Sequence, residues 1–93
     1  MAEAEVVDNA REHRFEMQIG DELAVSYYRI EDGRVVLLHT EVPQHYSGQG
    51  VGSRLARGTF EIIRARGQRA ITKCPFMAAY ASRHPEYARM LDG

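Results

Sequence analysis

Three alternate glycines, Gly48, Gly50 and Gly52, sit in the run Ser47-Gly48-Gln49-Gly50-Val51-Gly52, and they constrain this chain more than any other feature. Glycine alone adopts positive φ without steric cost, so such a run is a turn rather than part of a regular element. Before it, Arg34 to Val42 includes the apolar stretch Val35-Val36-Leu37-Leu38, which reads as a central strand covered on both faces. After it, Val51, Leu55, Thr59 and Ile62, flanked by Ala56, Phe60 and Ile63, recur at helical spacing up to Arg66, with Gly67 as the stop. A strand, a glycine turn and a helix in that order aim bare main-chain N–H groups and a helix N-terminus at one point. That point suits a phosphate group.

The remaining elements follow from periodicity. Phe15, Met17 and Ile19 alternate with Arg14, Glu16 and Gln18, the pattern of a half-buried strand. Gly20-Asp21 turns the chain into a second strand, Leu23 to Ile30. Asp32-Gly33 then supplies a tight hairpin into the third. Arg69 to Cys74 reads as a short strand, Pro75 as the first position of a helix over Phe76 to Ala81, and Pro85 as the start of a final turn. Residues 1–11 show no periodicity and read as a loose tail, which leaves 12–93 as a single domain. The fold class expected is α+β: an antiparallel three-stranded sheet extended by a parallel strand through a right-handed β-α-β crossover, plus C-terminal helices.

Composition sets the outer limits. Ninety-three residues, 44% hydrophobic and 27% charged, build one small core. Cys74 is the single cysteine, which excludes an internal disulfide and any site of several thiolates. The formal net charge of −1 argues against a nucleic-acid binder. It hides an asymmetry, because residues 1–53 carry four basic and ten acidic side chains and residues 54–93 carry eight and three. The second half suits a polyanionic ligand, or else its arginines are the solvated face of a helix. No apolar run spans a membrane and no signal or lipidation motif stands out, so the cytoplasm is the expected compartment. His13, His45, His84 and Cys74 lack metal-ligand spacing, and no metal is expected.

Two phosphate-binding signatures fail on the glycine turn. A P-loop needs a Gly-Lys-Ser/Thr that is missing here, and a dinucleotide fingerprint needs glycine at Ser53 or Leu55 and an acid about twenty residues on, where Gln68-Arg69-Ala70 stands. The signature Q/R-x-x-G-x-G/A is matched at both glycine positions, with Ser47 in place of Gln or Arg. On this motif the chain resembles the GNAT acetyltransferase superfamily. With His39-Thr40-Glu41-Val42-Pro43, Cys74-Pro75-Phe76 and Arg83-His84-Pro85-Glu86-Tyr87 it is similar to the short YjdJ-type, N-acetyltransferase-like proteins along nearly its whole length. The resemblance implies a minimal GNAT-like fold and acetyl-CoA as cosubstrate. Its pyrophosphate would lie on the backbone of Gly48 to Gly52 and its pantetheine arm between the central strand and that of Cys74, with Val42, Ser47, Gly48, Gln49, Gly50, Val51, Gly52 and Cys74 in the binding set. It also implies an active-site pair formed by His39 and Cys74.

Moving an acetyl group from a thioester to an amine requires a neutral amine, a polarised carbonyl and a protonated leaving thiolate. His39, at the end of the central strand, is placed to accept the amine proton or is a structural histidine. Glu41, two residues on and therefore on the same strand face, is placed to orient the imidazole or act as base. Cys74, ahead of a helix N-terminus, is a nucleophile or a small core thiol. Tyr80 and Tyr87 are weaker candidates for protonating the thiolate. The expected activity is N-acetyl transfer from acetyl-CoA to an unidentified amine or peptide, by a monomer or weak homodimer. The alternative is a non-catalytic CoA-binding or protein-interaction module.

Overall fold

The computed structural model describes residues 5–46 and 48–92. Five strands form one sheet in chain order, β1 (Val6–Asn9), β2 (Arg14–Ile19), β3 (Glu22–Glu31), β4 (Arg34–Glu41) and β5 (Ala70–Thr72). The first four pair antiparallel, and β4 pairs parallel with β5 across the crossover helix α1 (Val51–Ala65). Two short helices follow, α2 (Pro75–Ser82) and α3 (Pro85–Ala88). The fold is α+β, as the periodicity requires. At the β3–β4 hairpin Asp32 and Gly33 both take positive φ, 52° and 75°, which matches the right-handed twist of the flanking strands.

One face of the sheet carries the core. Phe15 and Met17 of β2, Ala24 and Tyr28 of β3, and Val35 and Leu37 of β4 pack with Leu55, Phe60 and Ile63 of α1, Met77 of α2 and Tyr87 of α3. The described helices therefore gather on this side. β4 is nonetheless covered on both faces at this stretch, as its apolar run implies: Val36 points to the other face, beside its register partners Arg29 and Ile71, and is buried there as well.

The segment read as a tail needs correction. Residues 1–4 lie outside the described residues, but Val6–Asn9 is an edge strand in register with β2. Asp8 fixes it, since the Tyr28 hydroxyl donates to Asp8 Oδ1 at 2.6 Å and Arg66 Nη1 donates to Oδ2 at 2.7 Å. Burial first, and then this bond, push the Tyr28 phenol up to about 12. Gly58 completes the seat. A Cβ there would collide with the Val6 side chain, so the missing side chain lets β1 close on α1.

Candidate active site

The cradle begins where β4 ends. Gly48 and Gly50 adopt φ of 81° and 76°, and Gly50 is the N-cap of α1 without a side-chain cap. The first N–H groups of a helix lack intrahelical acceptors, and Arg54 is the residue whose N–H reaches back to the Gly50 carbonyl. A Cβ at Gly48 or Gly50 would meet nothing within 4 Å, so these two are required by conformation. Gly52 is set by close packing instead, because a Cβ there would lie 2.9 Å from Cζ of Phe76 and the ring would have to shift. Above the turn opens a cleft of about 280 Å³, lined by Val42, Tyr46, Gly48, Gly50, Val51, Gly52, Ser53 and Phe76.

The implied binding set divides on this geometry. Val42, Gly48, Gly50, Val51 and Gly52 line the cleft. Gln49 does not; its side chain donates back to the His45 carbonyl and its main-chain N–H to that of Tyr46. Ser47 lies outside the described residues. Tyr46, Ser53 and Phe76 join the lining without a distinct sequence signal, although Phe76 follows the helix-starting Pro75 and Tyr46 adjoins the turn. Tyr46 is braced from behind, since its hydroxyl would stand 2.5 Å from a Cβ on Gly20, and neighbouring His45 pairs with Glu22 at 2.5 Å.

Strands β4 and β5 part beside the cradle. Their ladder runs through Leu37 and Thr72, after which the N–H groups of Lys73 and Cys74 both donate to the Leu37 carbonyl, at 2.8 and 3.1 Å. Beyond that point β4 continues to Glu41 on β3 alone. A bulge interrupts this stretch, because Leu37 pairs with Tyr28 and His39 with Tyr27, leaving Leu38 as the extra residue. A bulge residue drops out of the ladder and re-aims its neighbours. Here it turns His39 onto the open face of the sheet. Its ring stacks on Tyr27 with centroids 6.4 Å apart, and its Nε2 lies 3.2 Å from Glu41 Oε2. Both side chains are more than half exposed.

Cys74 faces the other way. It is the N-cap of α2 with Pro75 following, but its side chain makes no capping bond. The sulfur turns to Thr40 instead, Sγ to Oγ1 3.4 Å, and the residue is only 3% exposed within the core cluster. His39 and Cys74 thus stand on opposite faces of β4, with Thr40 rather than His39 against the thiol. Sequence reading passed over Thr40, although strand alternation between His39 and Glu41 puts it on the opposite face from both.

Tyr80 and Tyr87 belong to a second groove, of about 310 Å³, lined by Arg57, Glu61, Tyr80, His84, Glu86 and Tyr87. Tyr80 stacks on His84 at 4.1 Å, and burial pushes its phenol up. The Tyr87 hydroxyl donates to Glu61 Oε2 at 2.6 Å, and burial followed by that bond raises it further. Neither lines the cleft over the cradle. Among the described residues no group of three His, Cys, Asp or Glu side chains is arranged to hold a metal, and no helix is long and apolar enough to cross a membrane.

Curated protein sequences give no match. Among solved structures, the chain is similar to a GCN5-like protein from Staphylococcus aureus determined by NMR, with 25% identity over 100% of this chain and 92% of that one and a TM-score of 0.72. The family model for GCN5-related N-acetyltransferases matches residues 14–90. With a glycine cradle at the start of the crossover helix and two parallel strands parting beside it, the chain belongs to the GCN5-related N-acetyltransferase family.

Proposed function

We propose that this protein binds acetyl-CoA and transfers its acetyl group directly to an amine. The carrying observation is the cleft over the Gly48–Gly52 turn, walled by Val42 just past the end of β4 and by Phe76 in the first turn of α2. Its walls fit the ligand in kind. The turn offers main-chain N–H groups and a helix N-terminus to a pyrophosphate, while Val42, Tyr46 and Phe76 offer apolar surface to a pantetheine arm. The Leu38 bulge takes one residue of β4 out of the β3 ladder beside the parted strands, and a main-chain N–H at that irregularity would be the group to polarise a thioester carbonyl.

The His39–Glu41 pair supplies the base. As the amine nitrogen bonds to the acetyl carbon, His39 accepts the proton that nitrogen loses, and Glu41 stabilises the imidazolium that results. The C–S bond breaks and water protonates the departing thiolate. Cys74 and Thr40 line the opposite side of β4 and carry no acetyl group in this scheme. The burial of Cys74 and its separation from His39 support direct transfer over an acetyl-cysteine intermediate. The setting this reading implies is the cytoplasm, with a small amine or a peptide as acceptor.

That same burial of Cys74 and the exposure of His39 also favour a second reading, a CoA-binding module without turnover. Acetyl-CoA consumption measured with a panel of amines and peptides separates the two. Turnover that depends on His39 supports the transferase; CoA binding with no acceptor-dependent turnover supports the module.

A further inference from the structure

The two openings follow one another along the valley between α1 and α2. Ser53 of the cradle cleft and Arg57 and Glu61 of the groove beyond fall at i, i+4 and i+8 on α1. Phe76, Tyr80 and His84 repeat that spacing along α2 and just past its end. Side chains so spaced stand one above another on a single helix face. A ligand leaving the cradle along this valley therefore meets Arg57 as its first charged side chain, about 10 Å along the helix from Gly50.

Arg57 is uncommitted. Arg64 near the end of α1 pairs with Glu61 and Arg66 at its C-cap pairs with Asp8, whereas Arg57, like Arg54, is exposed and takes part in no ion pair among the described residues; of those two only Arg57 lines an opening. The far end of the valley is acidic. Glu61 there accepts the Tyr87 hydroxyl and the Arg64 guanidinium, and Glu86 lines the same groove. An anion is thus favoured at Arg57 and repelled deeper in.

Resting on the acetyl-CoA reading, we propose that Arg57 receives the 3′-phosphate of CoA and makes the protein selective for CoA over donors that lack this group. The 3′-phosphate hangs from the ribose next to the pyrophosphate, one sugar away from whatever the cradle holds. It is also the charged group that separates CoA from dephospho-CoA and from pantetheine thioesters carried on proteins. The guanidinium fork matches phosphate oxygens in pairs, which a single surface ammonium does not.

The test is calorimetric titration of the intact protein with CoA and with 3′-dephospho-CoA, for wild type, Arg57→Ala and Arg54→Ala. Arg54 is exposed on α1 but lines neither opening, so it controls for general charge. Wild type should bind CoA about five- to tenfold more tightly than dephospho-CoA. Arg57→Ala should erase that preference while leaving dephospho-CoA affinity unchanged, and Arg54→Ala should keep it. Equal binding of the two ligands by wild type, or a preference that survives Arg57→Ala, overturns the assignment with the acetyl-CoA reading intact. Binding of neither ligand to wild type overturns that reading and this inference with it.

Discussion

The cradle and the strand end beside it are built from different materials. The cradle is main chain: Gly48 and Gly50 in a left-handed conformation, and a helix N-terminus whose N–H groups need no side chain to point the right way. The end of β4 is all side chain, and one bulge distributes it, with His39 and Glu41 on the open face and Thr40 turned to Cys74. Under the proposed function, binding built from backbone would tolerate the serine at position 47 where the family motif has Gln or Arg. Chemistry built from side chains is at the mercy of one residue of register.

The largest effect should come from loading the cradle with a charge. Gly50→Asp would place a carboxylate where the phosphates approach; no packed atom stands near, so its cost to the fold is the strain of a side chain at φ 76°, about 1–2 kcal/mol. CoA affinity should fall more than about 100-fold, with the circular dichroism spectrum retained. A folded variant that binds CoA like wild type breaks the cradle's half of the comparison.

On the strand's half, His39→Gln should leave CoA affinity unchanged and lower acetyl transfer by about 10²–10⁴, the usual cost of a lost general base. Glu41→Gln should show a smaller loss. A drop below about tenfold for His39→Gln, with the pH profile of transfer unaltered, demotes the histidine to a structural role.

Gly58 sharpens the contrast, because its missing side chain serves packing alone. Gly58→Val drives a side chain into Val6 and should cost about 1–3 kcal/mol of stability, read by urea denaturation, with CoA affinity of the folded fraction unaltered. An unchanged denaturation midpoint would show that β1 does not contribute to the cooperative unit.

Much of this was legible in the sequence, and the exceptions share a cause. The alternation of Phe15, Met17 and Ile19, the Asp32-Gly33 hairpin, the helix from Val51 and the start of α2 at Pro75 are local signals, and each corresponds to an element in place. The β1 strand is short, and it is held by Asp8 reaching Tyr28 and Arg66, 20 and 58 residues away, contacts that no local window contains. The Leu38 bulge leaves no mark either, since Val35-Val36-Leu37-Leu38 reads as an unbroken strand. His39 and Cys74 are therefore identifiable one by one, while the fact that they face apart is not.

The smallest expected effects are on pH-dependent stability. Hydrogen bonds from Arg14 and then Asn9 hold the Glu16 carboxyl below its usual range, and Arg34 and Arg69 do the same for Asp92. A depressed carboxyl stabilises the fold above its unfolded pKa of about 4 and loses that contribution as pH falls through the lower folded value. Tyr28 acts in the opposite sense. Its stabilising neutral form is complete below about 10 and is lost as pH rises towards about 12. Thermal midpoints should therefore be level near neutrality and fall at both extremes, with Glu16→Gln flattening the acid limb. An acid limb identical in Glu16→Gln and wild type would remove Glu16 from this account.

The most direct measurement of the central claim is a titration of ¹⁵N-labelled protein with CoA, followed by amide chemical shifts. The account predicts saturable shifts centred on Gly48, Gly50, Val51, Gly52 and Ser53, extending across the parted strands to Thr40 and Cys74 and leaving β1 unmoved. Saturable shifts confined to residues away from this turn, or none at millimolar CoA, would contradict it.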